Sequence, residues 1–215
     1  REAGIGAELP VDAEERTKIR AKASKKESQY AKTDAGEGSV EHRIDDNWTV
    51  IAGARGDDRE RNAARTTKGD GDGSRVDAAA RLEYRPDRVD DPSKESREAP
   101  WMVYGFGQAT VAKTGSRLDN NRGGAGGEAQ LTERIKAKSE VSGGNGGLGA
   151  LAVLDYVMDA DTTLYLNYRL DTDRTDGSLY GHYGVATVGG RTRFTDNVGV
   201  FAEERYYHGD GPCSP

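Results

Sequence analysis

The stretch Thr163-Leu-Tyr-Leu-Asn-Tyr-Arg-Leu-Asp171 alternates between apolar and polar side chains from end to end. In an extended chain its even-numbered residues, three leucines and Tyr168, fall on one side, and the residues between them fall on the other. Successive side chains of a β-strand point to opposite faces. The stretch therefore predicts a strand with one apolar face and one polar face.

The same two-residue period recurs along the chain, so it is a property of the whole sequence. Further alternating or strand-like segments lie at 17–24, 39–44, 48–55, 76–84, 101–111, 134–141, 150–156, 186–194 and 198–207. The last one is the least regular, because Glu204 falls on the side of Val198 and Val200. We expect about eleven strands, several of them with the roughly 9–11 residues that a tilted membrane strand needs.

The connections between these segments alternate in length, as in an up-and-down meander of antiparallel strands. Short acidic turns are predicted at 14–15, 45–47, 132–133, 159–161 and 195–197, and longer polar loops at 25–37, 56–74, 113–125, 142–147 and 171–178. The connector at 85–100 breaks this alternation, because it is long on the side of the short turns.

The composition excludes some classes of protein. The 215 residues are 32% charged and 34% hydrophobic, with a mean hydropathy of −0.84 and a net charge of −6. No run of about 18 apolar residues occurs, which excludes a helical membrane span. The acidic balance argues against a nucleic-acid-binding surface. By composition alone the chain is close to disordered proteins, and only the order of its residues predicts a sheet.

The apolar face is rich in Ala, Gly and Tyr, whereas the core of a soluble β-sandwich is filled by larger branched residues. The opposite face is densely charged. Trp48, Tyr84, Trp101, Tyr156 and Phe194 fall near strand ends beside the turns, as an aromatic girdle requires. These features favour an all-β, antiparallel up-and-down transmembrane β-barrel. A soluble β-sandwich or solenoid and a largely disordered chain remain open alternatives.

Four segments carry a resemblance to a known family. They are Leu131-Thr-Glu-Arg-Ile-Lys-Ala-Lys-Ser-Glu-Val-Ser-Gly-Gly-Asn-Gly-Gly-Leu-Gly-Ala150, Leu164-Tyr-Leu-Asn-Tyr-Arg-Leu-Asp-Thr-Asp-Arg-Thr-Asp176, Thr187-Val-Gly-Gly-Arg-Thr-Arg-Phe-Thr-Asp196 and Val200-Phe-Ala-Glu-Glu-Arg-Tyr-Tyr-His-Gly-Asp-Gly211. Together they resemble the C-terminal barrel of large Gram-negative outer-membrane surface proteins, which often carry extracellular repeat domains ahead of it. The resemblance is most specific over 126–211 and looser over 14–84, through Glu41-His-Arg43 and Asn47-Trp48. It implies further strands after residue 211, hence part of a larger barrel, and it implies no catalytic or ligand residues.

We therefore expect a lead-in at 1–13, barrel strands and loops over 14–211 with an irregular connector at 85–100, and a truncated tail at 212–215. The expected function is that of a non-enzymatic integral barrel in the outer membrane of a Gram-negative bacterium, acting as a surface anchor or porin-like channel. Its expected partners are outer-membrane lipid, other surface proteins or further strands of the parent chain, and no nucleic acid. The alternative is a soluble extracellular β-rich structural or adhesive module with calcium-assisted Asp/Gly loops.

Basic residues on the polar face are the candidate interior-lining residues: Arg134, Lys136, Lys138, Arg169, Arg191, Arg193 and Arg205. In an open interior they would favour anions. Alternatively they pair with acids such as Glu128, Glu140, Asp155 and Glu203, and so fill a narrow interior.

Two acidic loops match a calcium site only in part. The first presents Asp70 and Asp72, but Arg75 replaces the turn glycine and Arg81 stands where a bidentate Glu is needed. The second offers Asp171, Asp173 and Asp176 and also lacks a closing Glu. These are weak calcium candidates, and no other cofactor is expected.

The remaining motifs predict no catalytic site. The glycine runs at 123–127 and 143–147 are interpreted as loop tips, because neither precedes a helix or a Lys-Ser/Thr pair. The three histidines are scattered, and Cys213 is the single cysteine, so no intramolecular disulfide is expected. No hydrolase motif is present.

Overall fold

A computed structural model of the chain describes residues 2–14, 16–27, 31–61, 71–86, 100–145, 147–171, 183–195 and 198–209. Within these ranges the chain forms twelve strands: β1 (Glu2–Pro10), β2 (Thr17–Glu27), β3 (Ala31–Arg43), β4 (Trp48–Arg61), β5 (Gly73–Tyr84), β6 (Trp101–Lys113), β7 (Arg122–Thr132), β8 (Ile135–Gly144), β9 (Gly147–Val157), β10 (Thr162–Asp171), β11 (Tyr183–Thr195) and β12 (Val198–Gly209). The described part of the chain holds no helix that is long and apolar enough to cross a membrane.

The twelve strands form a single antiparallel sheet in which each strand pairs with its neighbour in the chain, from β1 to β12. The predicted all-β, antiparallel, up-and-down arrangement is confirmed. Among the described residues β1 pairs only with β2, and β12 pairs only with β11. The sheet is therefore open at both edges.

Two strands were missed by the sequence analysis. β1 lies in the segment expected to be a lead-in, where Ile5, Ala7 and Leu9 alternate with glycine and glutamate. β7 begins at Arg122, inside the loop predicted at 113–125, so the prediction that residues 123–127 form a loop tip was wrong. Glycine has no side chain to mark a period, and a glycine-rich strand therefore carries little alternation.

Several predicted loops are shorter than expected. β2 continues to Glu27 and β3 begins at Ala31, so most of the loop predicted at 25–37 is strand. The second glycine run does flank a tight hairpin, between Gly144 at the end of β8 and Gly147 at the start of β9. Gly147 has a φ of +94°, which a residue with a side chain rarely adopts.

The strands are staggered across the sheet. A line of paired residues starts at Thr17, the first residue of β2, and passes through His42, Val50, Leu82, Gly105, Ala125, Val141, Ala150, Leu170 and Gly184 to His208. His208 lies ten residues beyond Val198, where β12 begins, and the line reaches it in ten steps. The line thus moves away from the turn end of the sheet by one residue for each strand that it crosses, which is a stagger of one residue per strand. With a rise of about 3.3 Å and a strand spacing of about 4.8 Å, this corresponds to a strand tilt of about 35°.

Burial in this sheet is inverted relative to a water-soluble sheet. Many large apolar side chains are exposed, for example Leu82 (43%), Val103 (47%) and Leu166 (51%), whereas Arg75 is only 2% exposed. Among the described residues Met102 and Tyr104 are the buried hydrophobic side chains. Two cavities, of about 590 and 1440 Å³, lie on the charged face and extend over several strands, so this face is concave. The apolar side chains form the convex face.

Candidate functional site on the concave face

The structure brings most of the predicted interior-lining residues to one face. Register places Lys136, Lys138, Arg169, Arg191 and Arg205 on the concave face of β8, β10, β11 and β12, as their alternation predicts. Of these, Arg169, Arg191 and Arg205 line the larger cavity on this face.

The two other predicted residues lie at the turn end of the sheet. Arg193 is near the end of β11, where its guanidinium donates to Asp161 Oδ1 at 2.9–3.0 Å. Arg134 lies exposed in the turn between β7 and β8 and is not part of a strand. Arg134 is therefore at the turn end of the sheet, and its place in the interior of a closed barrel stays a prediction.

The predicted pairing of these bases with acids holds in part. Lys136 Nζ lies 2.7 Å from Glu128 Oε1, and Arg205 contacts Glu203 on its own strand. Glu140 instead accepts a hydrogen bond of 2.6 Å from the hydroxyl of Tyr104. The charged face is therefore cross-linked by hydroxyls as well as by ion pairs.

The most deeply buried part of the concave face is an ionic cluster at the loop end of β4 and β5. Arg75 Nε donates to Asp77 Oδ2 at 2.9 Å, and Arg75 Nη2 lies 3.8 Å from Asp57 Oδ2. Asp57 also contacts Arg117. Thr110 Oγ1 donates to Asp77 Oδ1 at 2.7 Å. Each buried charge meets an opposite charge, which burial of an ion requires.

This ionic cluster is covered by residues 114–121, which connect β6 to β7. The sequence predicted a long polar loop at 113–125, but the side chain of Arg117 is 1% exposed and donates to the carbonyl oxygen of Gly73 at 3.2 Å. Asn120 N donates to Thr110 Oγ1 at 2.8 Å. Gly115, with a φ of +64°, allows the chain to turn beside Asp72. An arginine in a glycine-containing loop is typical of a solvated surface, so no sequence signal indicated this cover.

Aromatic residues on the concave face lie across glycines of the next strand. Tyr104 reaches from β6 over Gly126 of β7 to Glu140 of β8. A Cβ at Gly126 would lie 2.5 Å from the Tyr104 hydroxyl oxygen, so only glycine leaves room for the ring. The guanidinium carbon of Arg81 lies 3.6 Å from the centre of the same ring, a cation–π contact.

Tyr165 repeats this arrangement on β10. Its hydroxyl donates to Glu203 Oε2 of β12 at 2.9 Å, and its ring passes over Gly189 of β11. The pairing of an aromatic ring with a cross-strand glycine is a second signal in the sequence, which the search for period two did not use.

The two cavities differ in what lines them. The smaller one lies over β1–β6 beside Arg20, whose guanidinium bridges Glu8 at 2.6 Å and Glu41 at 2.8 Å. The larger one lies over β9–β12, and its lining includes Tyr165, Asn167, Arg169, Arg191 and Arg205. We call this larger cavity, with the concave face of β9–β12 that forms it, the trough.

Aromatic residues gather at the turn end of the convex face, as predicted. The rings of Trp48 and Tyr84 are 4.8 Å apart, and those of Tyr84 and Trp101 are 5.8 Å apart. Tyr156 and Phe194 are each one residue from the turn-side end of their strand.

The calcium candidates gain no support from the described part of the chain. There, no group of three or more His, Cys, Asp or Glu side chains could hold a metal ion. Asp72 is exposed, and Asp171 is the last residue of β10. Asp70, Asp173, Asp176 and Cys213 lie outside the described residues.

Comparisons with known proteins identify no relative. No protein-family model, curated protein or solved structure matches the chain. The functional argument therefore rests on the two faces of the sheet.

Proposed function

We propose that this chain forms the wall of a transmembrane β-barrel of the outer-membrane type, and that it acts without enzymatic activity as a surface anchor or porin-like channel. The observation that carries the proposal is the inverted burial, with apolar side chains exposed on the convex face and charges of β4 and β5 buried on the concave face. A soluble protein rarely exposes a large continuous apolar surface. In an outer-membrane barrel the apolar convex face would contact lipid, and the charged concave face would contact water inside the barrel.

The convex face is continuous from strand to strand. Ile19 pairs with Val40 across β2 and β3, and Leu166 of β10 pairs with both Leu154 and Val188. On β4 it is apolar from Trp48 to Gly56 and charged beyond, at Asp58 and Glu60. Nine residues tilted by about 35° cover roughly 24 Å, which matches the apolar band of about 25 Å in outer-membrane barrels.

The stagger of the strands also supports the proposal. Strands of closed barrels tilt by about 35–45° from the barrel axis, and the register of this sheet gives a tilt at the lower end of that range. Lipid does not tolerate unpaired backbone groups, so the barrel requires a partner strand at the free edges of β1 and β12. In a twelve-stranded meander these two strands are antiparallel, so they can pair with each other or with further strands.

Membrane extraction tests this function. Cell envelopes that contain the protein are washed with high salt and with carbonate and then treated with detergent. We expect the protein to stay in the pellet until detergent is added, and to migrate faster on a gel when unheated, because a closed barrel stays folded. Release by carbonate, or identical migration before and after heating, would contradict the proposal.

A second candidate function is a soluble extracellular structural or adhesive module. It is favoured by Glu204, which pairs with Val188 and so places a charge on the apolar convex face. This reading predicts release from cells or envelopes by salt or carbonate, and the same extraction experiment decides between the two.

A further inference from the structure

The two halves of the concave face differ in how their charges are used. Over β4 and β5 the ionic cluster of Asp57, Arg75 and Asp77 is buried and covered by residues 114–121. Over β9–β12 the trough stays open, with a volume of about 1440 Å³. The trough is thus the larger of the two cavities on the concave face.

The trough side of the sheet carries an excess of positive charge. Among the described residues that line the trough, four are basic, Arg169, Arg191, Arg193 and Arg205, and three are acidic, Asp155, Asp161 and Glu203. The whole chain has a net charge of −6, so this excess is local. Arg193 donates to Asp161, and Tyr165 donates to Glu203, which engages two of the three acids.

Three side chains of the trough lack the contacts that such groups usually make. No acidic side chain of the described residues lies within ion-pair distance of Arg191, which pairs in register with Phe201. Phe201 is 74% exposed although it belongs to the concave face of β12. Asn167 Oδ1 is buried and accepts no hydrogen bond within the described structure. The trough is thus lined by a cation, an apolar ring and the amide side chain of Asn167.

We propose that the trough binds acidic oligosaccharides. The carboxylate of one sugar acid pairs with Arg191, and its ring lies against Phe201. The side-chain amide of Asn167, which lines the trough, hydrogen-bonds to a hydroxyl of a neighbouring sugar. Asn167 pairs with Thr187, which lies four residues from Arg191 on β11, a distance of about 13 Å. One sugar ring is too short to span both groups, whereas a chain of two to three rings is long enough.

An inorganic anion can contact only the arginines of this site. A phosphate ion pairs with the arginines but has no ring for Phe201 and cannot reach both ends of the trough. A neutral oligosaccharide offers hydroxyls and rings but no charge for Arg191. The site therefore predicts a preference for ligands that combine both properties.

Equilibrium binding to the full chain in detergent tests the proposal. Titration calorimetry at low salt compares trigalacturonate with maltotriose and with inorganic phosphate. We expect trigalacturonate to bind at least about tenfold more tightly than either, because each charge-assisted hydrogen bond is worth about that factor. Equal affinity for phosphate, or no binding of trigalacturonate, would overturn the proposal.

Variants locate the site. R191Q should weaken trigalacturonate binding about tenfold, F201A should weaken it severalfold, and R191K should retain part of the affinity. R134Q removes an arginine outside the trough and should change the affinity less than twofold. Circular dichroism checks that each variant keeps its β-structure. Unchanged binding by folded R191Q, or an equal loss in R134Q, would remove the site from the trough. The binding measurement does not require membrane insertion. A negative binding result can therefore be told apart from a negative result of the extraction test.

Discussion

Arg75 shows at the scale of one residue how this sheet tolerates buried charge. It is the most buried large side chain of the described residues, and it lies between Asp57 and Asp77 under the loop that carries Arg117. Burial alone would make such a cation costly, so its partners decide the outcome. The arginine of an exposed pair, such as Arg193 with Asp161, stays solvated whether or not its partner is present.

Replacing Arg75 with methionine should therefore destabilise the folded protein by about 3–5 kcal/mol, because it leaves buried carboxylates without a counter-charge. R193Q is the matched control and should cost about 0–1 kcal/mol, since both members of that pair are about half exposed. Urea unfolding followed by circular dichroism measures both. Similar losses in the two variants would show that the buried cluster is not formed.

Gly126 allows a test of the aromatic–glycine arrangement. In G126A the new Cβ would lie 2.5 Å from the Tyr104 hydroxyl oxygen and 2.6 Å from the carbonyl oxygen of Ser139, so the ring and strand must shift. Overpacking of this kind costs about 1–3 kcal/mol. The control G107A places a Cβ where nothing lies within 4 Å, and it should leave stability unchanged or slightly higher. A loss in G107A as large as that in G126A would contradict the assignment.

Single strands and turns differ in how well the sequence predicts them. β10 was predicted in full, because its leucines and polar residues alternate from Leu164 to Leu170. β7 was missed, because its glycines carry no period and their role depends on rings of β6. The inward fold of residues 114–121 depends on Asp57, more than fifty residues earlier, and local sequence contains no trace of that contact. The trough likewise joins four strands, so only the register could bring Arg191 beside Phe201.

The turn between β9 and β10 depends on the charge of Asp159. Its Oδ1 accepts hydrogen bonds from the backbone N–H groups of Asp161 and Thr162 at 2.9 and 2.8 Å. The bond from Asp161 is the main cause that lowers the pKa of Asp159 below its ordinary value of 3.8. A carboxyl whose pKa is lower in the folded state stabilises that state above its unfolded pKa, and the benefit is lost as the pH falls through the folded pKa.

We therefore expect D159A to be less stable than the wild type at pH 6, and the difference to shrink as the pH falls below 3.8. D46A is the control, because Asp46 lies in the turn before β4 and its side chain forms no hydrogen bond or ion pair within the described residues. Thermal unfolding over a pH series measures both variants. A pH-independent difference for D159A would show that the carboxylate does not hold the turn.

At the scale of the whole molecule, the sheet has an apolar convex face and a charged concave face. Charged substitutions on the two faces should therefore change the free energy of unfolding in a bilayer by different amounts. Leu166 lies on the convex face and Asn167 on the concave face of the same strand. In lipid vesicles L166R should destabilise the folded protein by about 2–4 kcal/mol, because it places a charge in the apolar band. N167R should cost much less, since the concave face of β10 already carries a cation, Arg169, in the same cavity. Equal costs in urea unfolding from vesicles would contradict the assignment of faces.

The most direct test of the account is a cysteine scan along β10 in lipid vesicles. Single cysteines at positions 163–170, in a background with Cys213→Ser, are labelled with an environment-sensitive fluorophore. Positions 164, 166, 168 and 170 should be quenched by brominated lipid, and positions 163, 165, 167 and 169 by aqueous iodide. Equal iodide quenching at all eight positions would contradict the claim that the apolar convex face meets lipid.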